Sequence, residues 1–401
     1  MSTRLAIDGG DPVRRDPWPR WPHFDVAQID EVTAVLRSGR VNYWTGDRGR
    51  SFERAFAKMA GCAHGIAVAN GTVALELSLR AAGIGPGHEV IVPTRTFAGT
   101  ATAVLSAGAK PVFADVDPHT QGLSRDTVQA RLSPRTRAVI AVHLGGWPCA
   151  MTDLRALTRQ HDLQLVEDGA QAHGARLGGE PVGHLGDIAA FSCCQDKIIS
   201  TGGEGGVIVT DDEALAREVW SLKDHGKSYA AVYKKQHPPG FRWLHEGPGT
   251  NARMTEMQSA LGLAQLERLP PWLEQRRRHG RRMTEALASH PAVEVPVPRD
   301  DEEPAYYRFY AFVRPQSLRE GWTRGRIMQA ITAEGVPCFV GSCGQVHREI
   351  AFAEHRPETP LPVAARLEDT SLAWLVHPTL EDTDIDDALA ATHKVLAEAT
   401  A

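Results

Sequence analysis

The chain has 401 residues, 42% of them hydrophobic and 23% charged, with a formal net charge of −5. Those values describe a folded globular protein with room for two or three domains, and they give no global basic field for nucleic acid or an anionic membrane. No apolar run approaches the ~18 residues of a membrane span, and the polar, Pro-rich start MSTRLAIDGGDPVRRDPWPRWP has no signal-peptide core, so a cytoplasmic location is expected.

Residues 1–25 read as an irregular arm whose Trp18, Trp21 and Phe24 need a surface to pack on, such as a partner subunit. A helix is expected over Val26–Ser38, then a Gly/Tyr/Trp loop, then a helix over Ser51–Met59 on the spacing of Phe52, Phe56 and Met59. Strand-like and helix-like segments then alternate. Strands are expected at Gly65–Ala69, Glu89–Val92, Lys110–Asp115, Ala138–Val142, Gln164–Glu167, Ile188–Phe191 and Gly206–Thr210. Helices fall between them at Thr72–Ala82, Phe97–Ala107, Arg125–Leu132 and Met151–Gln160. Such alternation builds a mainly parallel sheet with helices on both faces, and ligands then bind at the carboxyl ends of the strands.

The stretch Gly249–Leu269 holds an amphipathic helix with Thr255 as cap, and Pro270–Pro271 is expected to break it before a basic helix over Trp272–Ser289. The pattern then changes: a Tyr/Phe strand at Tyr306–Val313, a helix at Arg324–Glu334, an irregular loop at Gly335–Gln345 and a closing helix at Asp384–Ala397. The chain is therefore divided into the arm (1–25), a large α/β domain (26–270) and a small α+β domain (271–401). The six cysteines include no CxxC pair, and no His/Cys cluster completes a tetrahedral set, so no metal is expected and the thiols read as reduced.

The chemistry concentrates in Leu165–Gly206. Asp168 ends an apolar strand, Gln171 follows three residues on, and Lys197 stands between the run IAAFSCC and the glycines of GGEGG. A carboxylate for a pyridinium nitrogen and a lysine for a Schiff base are the two groups that a pyridoxal phosphate site needs. Taken singly, Asp168 also reads as a capping residue and Lys197 as a solvated side chain. Partial burial and a cofactor cation are expected to lower the pKa of Lys197. Asn70-Gly71-Thr72 closes a strand and opens a helix, which suits a phosphate cradle as well as ordinary N-capping. Ser192 offers a further phosphate hydroxyl, and Phe97 either stacks on a ring or packs in the core.

The order of these groups, with the motifs NGTVALELSLRAAGIGPGHEVIVPTRTFAG, PVFADVDP, EDGAQAHGA, GHLGDIAAFSCCQDKIISTGGEGGVIVT and GTNARMTEMQSALGLAQL, resembles the DegT/StrS family of pyridoxal-phosphate-dependent sugar aminotransferases over almost the whole chain. The resemblance implies a fold-type I three-layer sandwich with a seven-stranded sheet, plus the small C-terminal domain. It implies Lys197 as the aldimine lysine, Asp168 as the pyridine-nitrogen acid, Gln171 against the cofactor face and Phe97 as the stacking ring. Gly71, Thr72, Val73 and Ser192 match phosphate contacts, and Asn251 matches an asparagine that reaches the phosphate from the other subunit of a homodimer with shared active sites. Two departures stand out: Phe191-Ser192-Cys193 where relatives have Phe-Ser-Phe, and an extra glycine in Gly202–Gly203.

The implied reaction moves an amino group from glutamate or glutamine to a keto-sugar, nucleotide-linked in the leading reading. A free keto-cyclitol is the alternative acceptor, on HLGGWP and the opening IDGGDPVRRDPWPRWP, and a dehydratase using the same groups is a further enzyme reading. A non-enzymatic regulator is disfavoured because Lys197 and Asp168 are both present. Tyr43, Trp44, Lys223, His225 and Arg308 are candidate substrate contacts, and the basic stretch KKQHPPGFRW beside KDHGKS is a candidate for a diphosphate.

Overall fold

The short apolar runs of the first half become the strands of one large sheet. The computed structural model describes residues 4–400; residues 1–3 of the arm and residue 401 lie outside the described residues. The strands are β1 (His64–Val68), β2 (Glu89–Pro93), β3 (Lys110–Ala114), β4 (Thr136–Val142), β5 (Gln164–Asp168), the two-residue β6 (Arg176–Leu177) and β7 (Glu180–Pro181), β8 (Ile188–Ser192) and β9 (Gly206–Thr210). The large sheet has the order β1-β9-β8-β5-β4-β2-β3. Strands β8, β5, β4, β2 and β3 are paired parallel, and β9 runs antiparallel to both β8 and β1. The expected seven-stranded, mainly parallel sheet is therefore present. Its central strands are buried on both faces, which explains their continuous Val/Ile/Ala runs.

Helices α1 (Val26–Ser38), α2 (Arg48–Ala60), α3 (Gly71–Ala81), α4 (Ala98–Ser106), α5 (Arg125–Gln129), α6 (Met151–Gln160), α7 (Glu213–Leu222) and α8 (Tyr229–Tyr233) flank the sheet or its loops. One apolar core lies on each side. Leu77, Val90, Val104 and Ile140 belong to the first, and Phe52, Phe56, Leu154 and Phe191 to the second.

After the sheet comes α9 (Glu256–Leu287), a single helix of 32 residues with Pro270 and Pro271 inside it. This corrects the expected break. The prolines forfeit backbone hydrogen bonds, but Leu269 and Leu273 on either side of them are buried in the core and Arg268 is paired with Asp25 at 2.6 Å, so packing carries the helix through. The small sheet, order β10-β12-β14-β13, is antiparallel: β10 (Val293–Glu294), β12 (Phe309–Val313), β13 (Cys338–Phe339) and β14 (Ser371–Trp374). The two-residue β11 (Glu302–Glu303) pairs with β6. Helices α10 (Arg324–Ala333), α11 (Pro362–Thr370) and α12 (Asp382–Ala399) complete this part. Sequence spacing did not foresee α11 or β14.

The arm also differs from expectation. Trp18 and Trp21 pack on their own chain, Trp21 edge-on to Trp272 at 5.1 Å and with its indole N–H donating to the Lys197 carbonyl at 2.9 Å. No helix among the described residues is long and apolar enough to cross a membrane.

Candidate active site

Strands β2, β4, β5 and β8 point their carboxyl ends at one cavity of about 770 Å³. Asp168, the last residue of β5, is buried at its floor. The Thr100 hydroxyl donates to Asp168 Oδ2 at 2.9 Å and the Ala170 amide to Oδ1 at 3.2 Å. Burial pushes this carboxyl above the usual aspartate range, while the Ala170 amide, the Thr100 hydroxyl and the nearby Lys197 pull the other way. A buried carboxylate held by a hydroxyl and an amide is poised for a cationic N–H of a ligand.

Lys197 faces the same cavity from the loop after β8. Its ammonium lies 3.3 Å from the Asp196 carboxylate and 5.1 Å from the centre of the Tyr307 ring. Tyr307 also donates its hydroxyl to Asp196. Burial alone would lower the lysine pKa, but Tyr307 and Asp196 outweigh it and hold the amine above its ordinary value. The expected depression of the Lys197 pKa is therefore not produced by the protein's own side chains; Asp196, one residue before the lysine, was the unread signal.

The other end of the cavity is a cradle. Asn70 caps α3 by accepting the Val73 amide at 2.9 Å. That spends the Val73 N–H and leaves the Gly71 and Thr72 amides, which precede the first intrahelical bond, as free donors for an anion. A Cβ at Gly71 would lie 2.6 Å from the Ser192 Cβ, so only glycine lets β8 come this close. Phe97, at the start of α4, is 70% exposed, with its ring on the cavity rather than in the core. Gln171 has its Oε1 fixed by the Gly145 amide at 2.7 Å. The donor set thus fits a phosphorylated pyridine ring carrying an aldehyde: anion cradle, aromatic wall, buried acid and primary amine line one space.

Behind Asp168, the preceding residue Glu167 is wholly buried and accepts the amides of Gly183, Leu185 and Gly186 at 3.0, 2.8 and 2.7 Å. His143 Nε2 lies 3.0 Å from Glu167, and the Cys149 amide donates to His143 Nδ1 at 3.0 Å. This network fixes the end of β5 and so the direction of Asp168.

Gly71, Thr72, Val73, Phe97, Asp168, Gln171, Ser192, Lys197 and Arg308 all line the cavity. Asn251 does not; it is exposed and bridges to Asp224. Tyr43 and Lys223 do not line this cavity either. Both are buried, with the Lys223 ammonium 3.7 Å from the centre of the Tyr43 ring and the Tyr43 hydroxyl donating to Glu53 at 3.1 Å. Trp44 is tied by its indole N–H to Asp224 at 2.7 Å, and His225 is exposed away from the cavity. Sequence reasoning missed Thr100, Asp196, Tyr307, Tyr310 and the loop Gly341–Cys343, all on the cavity wall. Only the aromatic density of YYRFY hinted at two of them.

A model of the DegT/DnrJ/EryC1/StrS aminotransferase family matches residues 22–392. The chain is 37% identical over 369 residues to the UDP-N-acetyl-3-dehydro-alpha-D-glucosamine 3-aminotransferase of Acidithiobacillus ferrooxidans, covering 90% of this chain and 93% of that one. It is 36% identical over 343 residues to the L-glutamine:2-deoxy-scyllo-inosose aminotransferase of Streptomyces kanamyceticus, covering 83% and 79%. The crystal structure of an aminotransferase from Psychrobacter cryohalolentis superposes with a TM-score of 0.94 at 46% identity, covering 96% of this chain and 100% of that one.

Proposed function

Because the chain belongs to the DegT/DnrJ/EryC1/StrS aminotransferase family, with the fold-type I architecture of such enzymes, we propose that it moves an amino group from glutamate or glutamine to a nucleotide-linked keto-sugar with pyridoxal phosphate as cofactor. One observation carries the reading: Lys197 and Asp168 share a cavity whose far end is the Gly71–Thr72 anion cradle. Pyridoxal phosphate, when bound, supplies an electrophilic carbon and a ring that draws electrons from the substrate.

The chain's residues divide the remaining work. Gly71, Thr72 and Ser192 hold the phosphate, and Phe97 and Gln171 bracket the ring. Asp168 keeps a proton on the ring nitrogen, because its carboxylate is fixed by Thr100 and Ala170. The Lys197 amine would carry a proton between the substrate carbon and the aldehyde-derived carbon of the cofactor, off the amino donor in one half-reaction and onto the acceptor in the other. Arg308, stacked over the Tyr307 and Phe339 rings at 5.2 and 5.1 Å, stands where a substrate anion would enter.

The same proposal includes a homodimer in which Asn251, remote from its own cavity, completes the partner's phosphate site, Tyr43 and Trp44 line the partner's substrate site, and the segment of Lys223 and His225 meets the substrate's diphosphate. The division of the chain near residue 270, with α9 bridging the two parts, belongs to it too. The relative from Acidithiobacillus ferrooxidans supports the nucleotide-sugar acceptor, and the relative from Streptomyces kanamyceticus supports a keto-cyclitol as the second reading.

A panel of nucleotide-linked aminosugars and free aminocyclitols, run in the amine-to-ketone direction, separates the two. Turnover of UDP- or TDP-linked aminosugars alone is expected. Turnover of aminocyclitols alone would replace the acceptor class, and turnover of neither would overturn the proposal.

A further inference from the structure

At the far end of the large sheet from the cradle, three segments distant in sequence converge. Strands β1 and β9 pair His64 with Thr210 at this end and Val68 with Gly206 at the other, beside the cradle. Cys62 lies two residues before β1, Asp211 immediately follows β9, and His184 lies in the loop leading to β8. Their ligand atoms, Cys62 Sγ, a His184 ring nitrogen and an Asp211 carboxylate oxygen, all fall within 4.8 Å of one another. His184 Nδ1 is 2.9 Å from Asp211 Oδ2.

We infer that Cys62, His184 and Asp211 bind a divalent transition-metal ion of the Zn²⁺ type, with the fourth coordination position open to water.

The ligand types set the class. A thiolate and an imidazole select zinc-like metals over Mg²⁺ and Ca²⁺, and three protein ligands with an open position are a known zinc arrangement. The surroundings hold the ligands in place. Asp211 Oδ1 accepts the Ala63 amide at 2.7 Å, which leaves Oδ2 directed at His184. Cys62 follows Gly61, whose φ of +73° turns the chain at the end of α2 and brings the thiol to the Gly183 carbonyl at 3.1 Å. A polar cavity of about 300 Å³, lined by Arg155 and Asp187 among others, adjoins all three and gives room for water at the fourth position.

Sequence spacing gave no sign of this set because the ligands sit at positions 62, 184 and 211. The site lies outside the Lys197 cavity, so the ion acts as a clasp on β1, β8 and β9 rather than in the transfer chemistry.

The test is a Co²⁺ titration of the holoenzyme after chelator dialysis, read as a difference spectrum against the metal-free holoenzyme. One equivalent should give a thiolate-to-cobalt charge-transfer band and tetrahedral d–d bands, both displaced by Zn²⁺. C62A should abolish the charge-transfer band, and H184A and D211N should each weaken binding by roughly tenfold or more. C62A should retain transaminase activity, which shows that it is folded and separates this site from the cofactor site. A charge-transfer band that survives in C62A would place the metal on another cysteine, such as Cys194 or Cys343, and overturn the assignment. So would failure of the wild-type protein to bind Co²⁺ at stoichiometric concentration.

Discussion

The Lys197 ammonium lies 3.3 Å from the carboxylate of its sequence neighbour Asp196, and that carboxylate is in turn held by the Tyr307 hydroxyl. The nucleophilic amine is therefore tethered by strand β8's loop on one side and by the approach to the small sheet on the other.

Asp196 and Tyr307 together raise the Lys197 pKa against the effect of burial. Asp196→Asn should lower it, so that the free amine appears at lower pH. The rate of reconstituting the cofactor-stripped protein with pyridoxal phosphate should begin to rise at lower pH in the variant and be faster near neutrality. An unchanged pH dependence would show that Asp196 does not set the charge of Lys197.

Lys197→Ala should remove the visible absorbance of the cofactor linkage and reduce transamination by ~10²- to 10⁴-fold or more, the range for loss of a positioned proton-transfer group. Persistence of the absorbance after dialysis would assign the linkage to another lysine.

Thr100 donates to Asp168 Oδ2. Thr100→Val leaves a buried charged acceptor short of one hydrogen bond, a loss of about 1.5–3 kcal/mol, or roughly tenfold or more in kcat/KM. Thr100→Ser should restore most of the activity. Equal losses in both variants would point to packing rather than to the hydroxyl.

Glu89, at the start of β2, tests the scaffold. Burial alone would raise its pKa, but the Ser133 hydroxyl at 2.5 Å and the Arg135 guanidinium at 2.7 Å more than offset this and hold it below the usual glutamate range. A carboxyl whose pKa is lower folded than unfolded stabilises the fold above the unfolded value of ~4.3, and that stabilisation is lost as pH falls through the folded value. Urea denaturation at neutral pH should therefore find Glu89→Gln less stable by about 1 kcal/mol, with the gap to wild type closing in acid. A gap independent of pH would remove the charge from the explanation.

The sheet was legible because its strands are buried on both faces and bounded by glycines: the expected Ile188–Phe191 and Gly206–Thr210 correspond to strands Ile188–Ser192 and Gly206–Thr210. Asp168 and Ser192 were legible as strand-end residues, since parallel sheets bind ligands at that edge. Thr100 was not, because its role depends on α4 crossing beside β5, a relation that no local spacing encodes. The surroundings of Tyr43 and Lys223 were hidden for a similar reason: each looks like a loop residue free in solvent, but α2 and α7 bury them together. Pro270–Pro271 was read by local rules that the packing of α9 overrides.

The hydrogen bond from the Trp21 indole to the Lys197 carbonyl spans 176 residues of sequence. It makes the N-terminal arm a brace for the active lysine's backbone. A cleavage, appended tag or deletion before residue 25 is then not a remote change: it would register as drift in the lysine's placement, and a spectroscopic probe on Trp21 would report cofactor loading from outside the cavity.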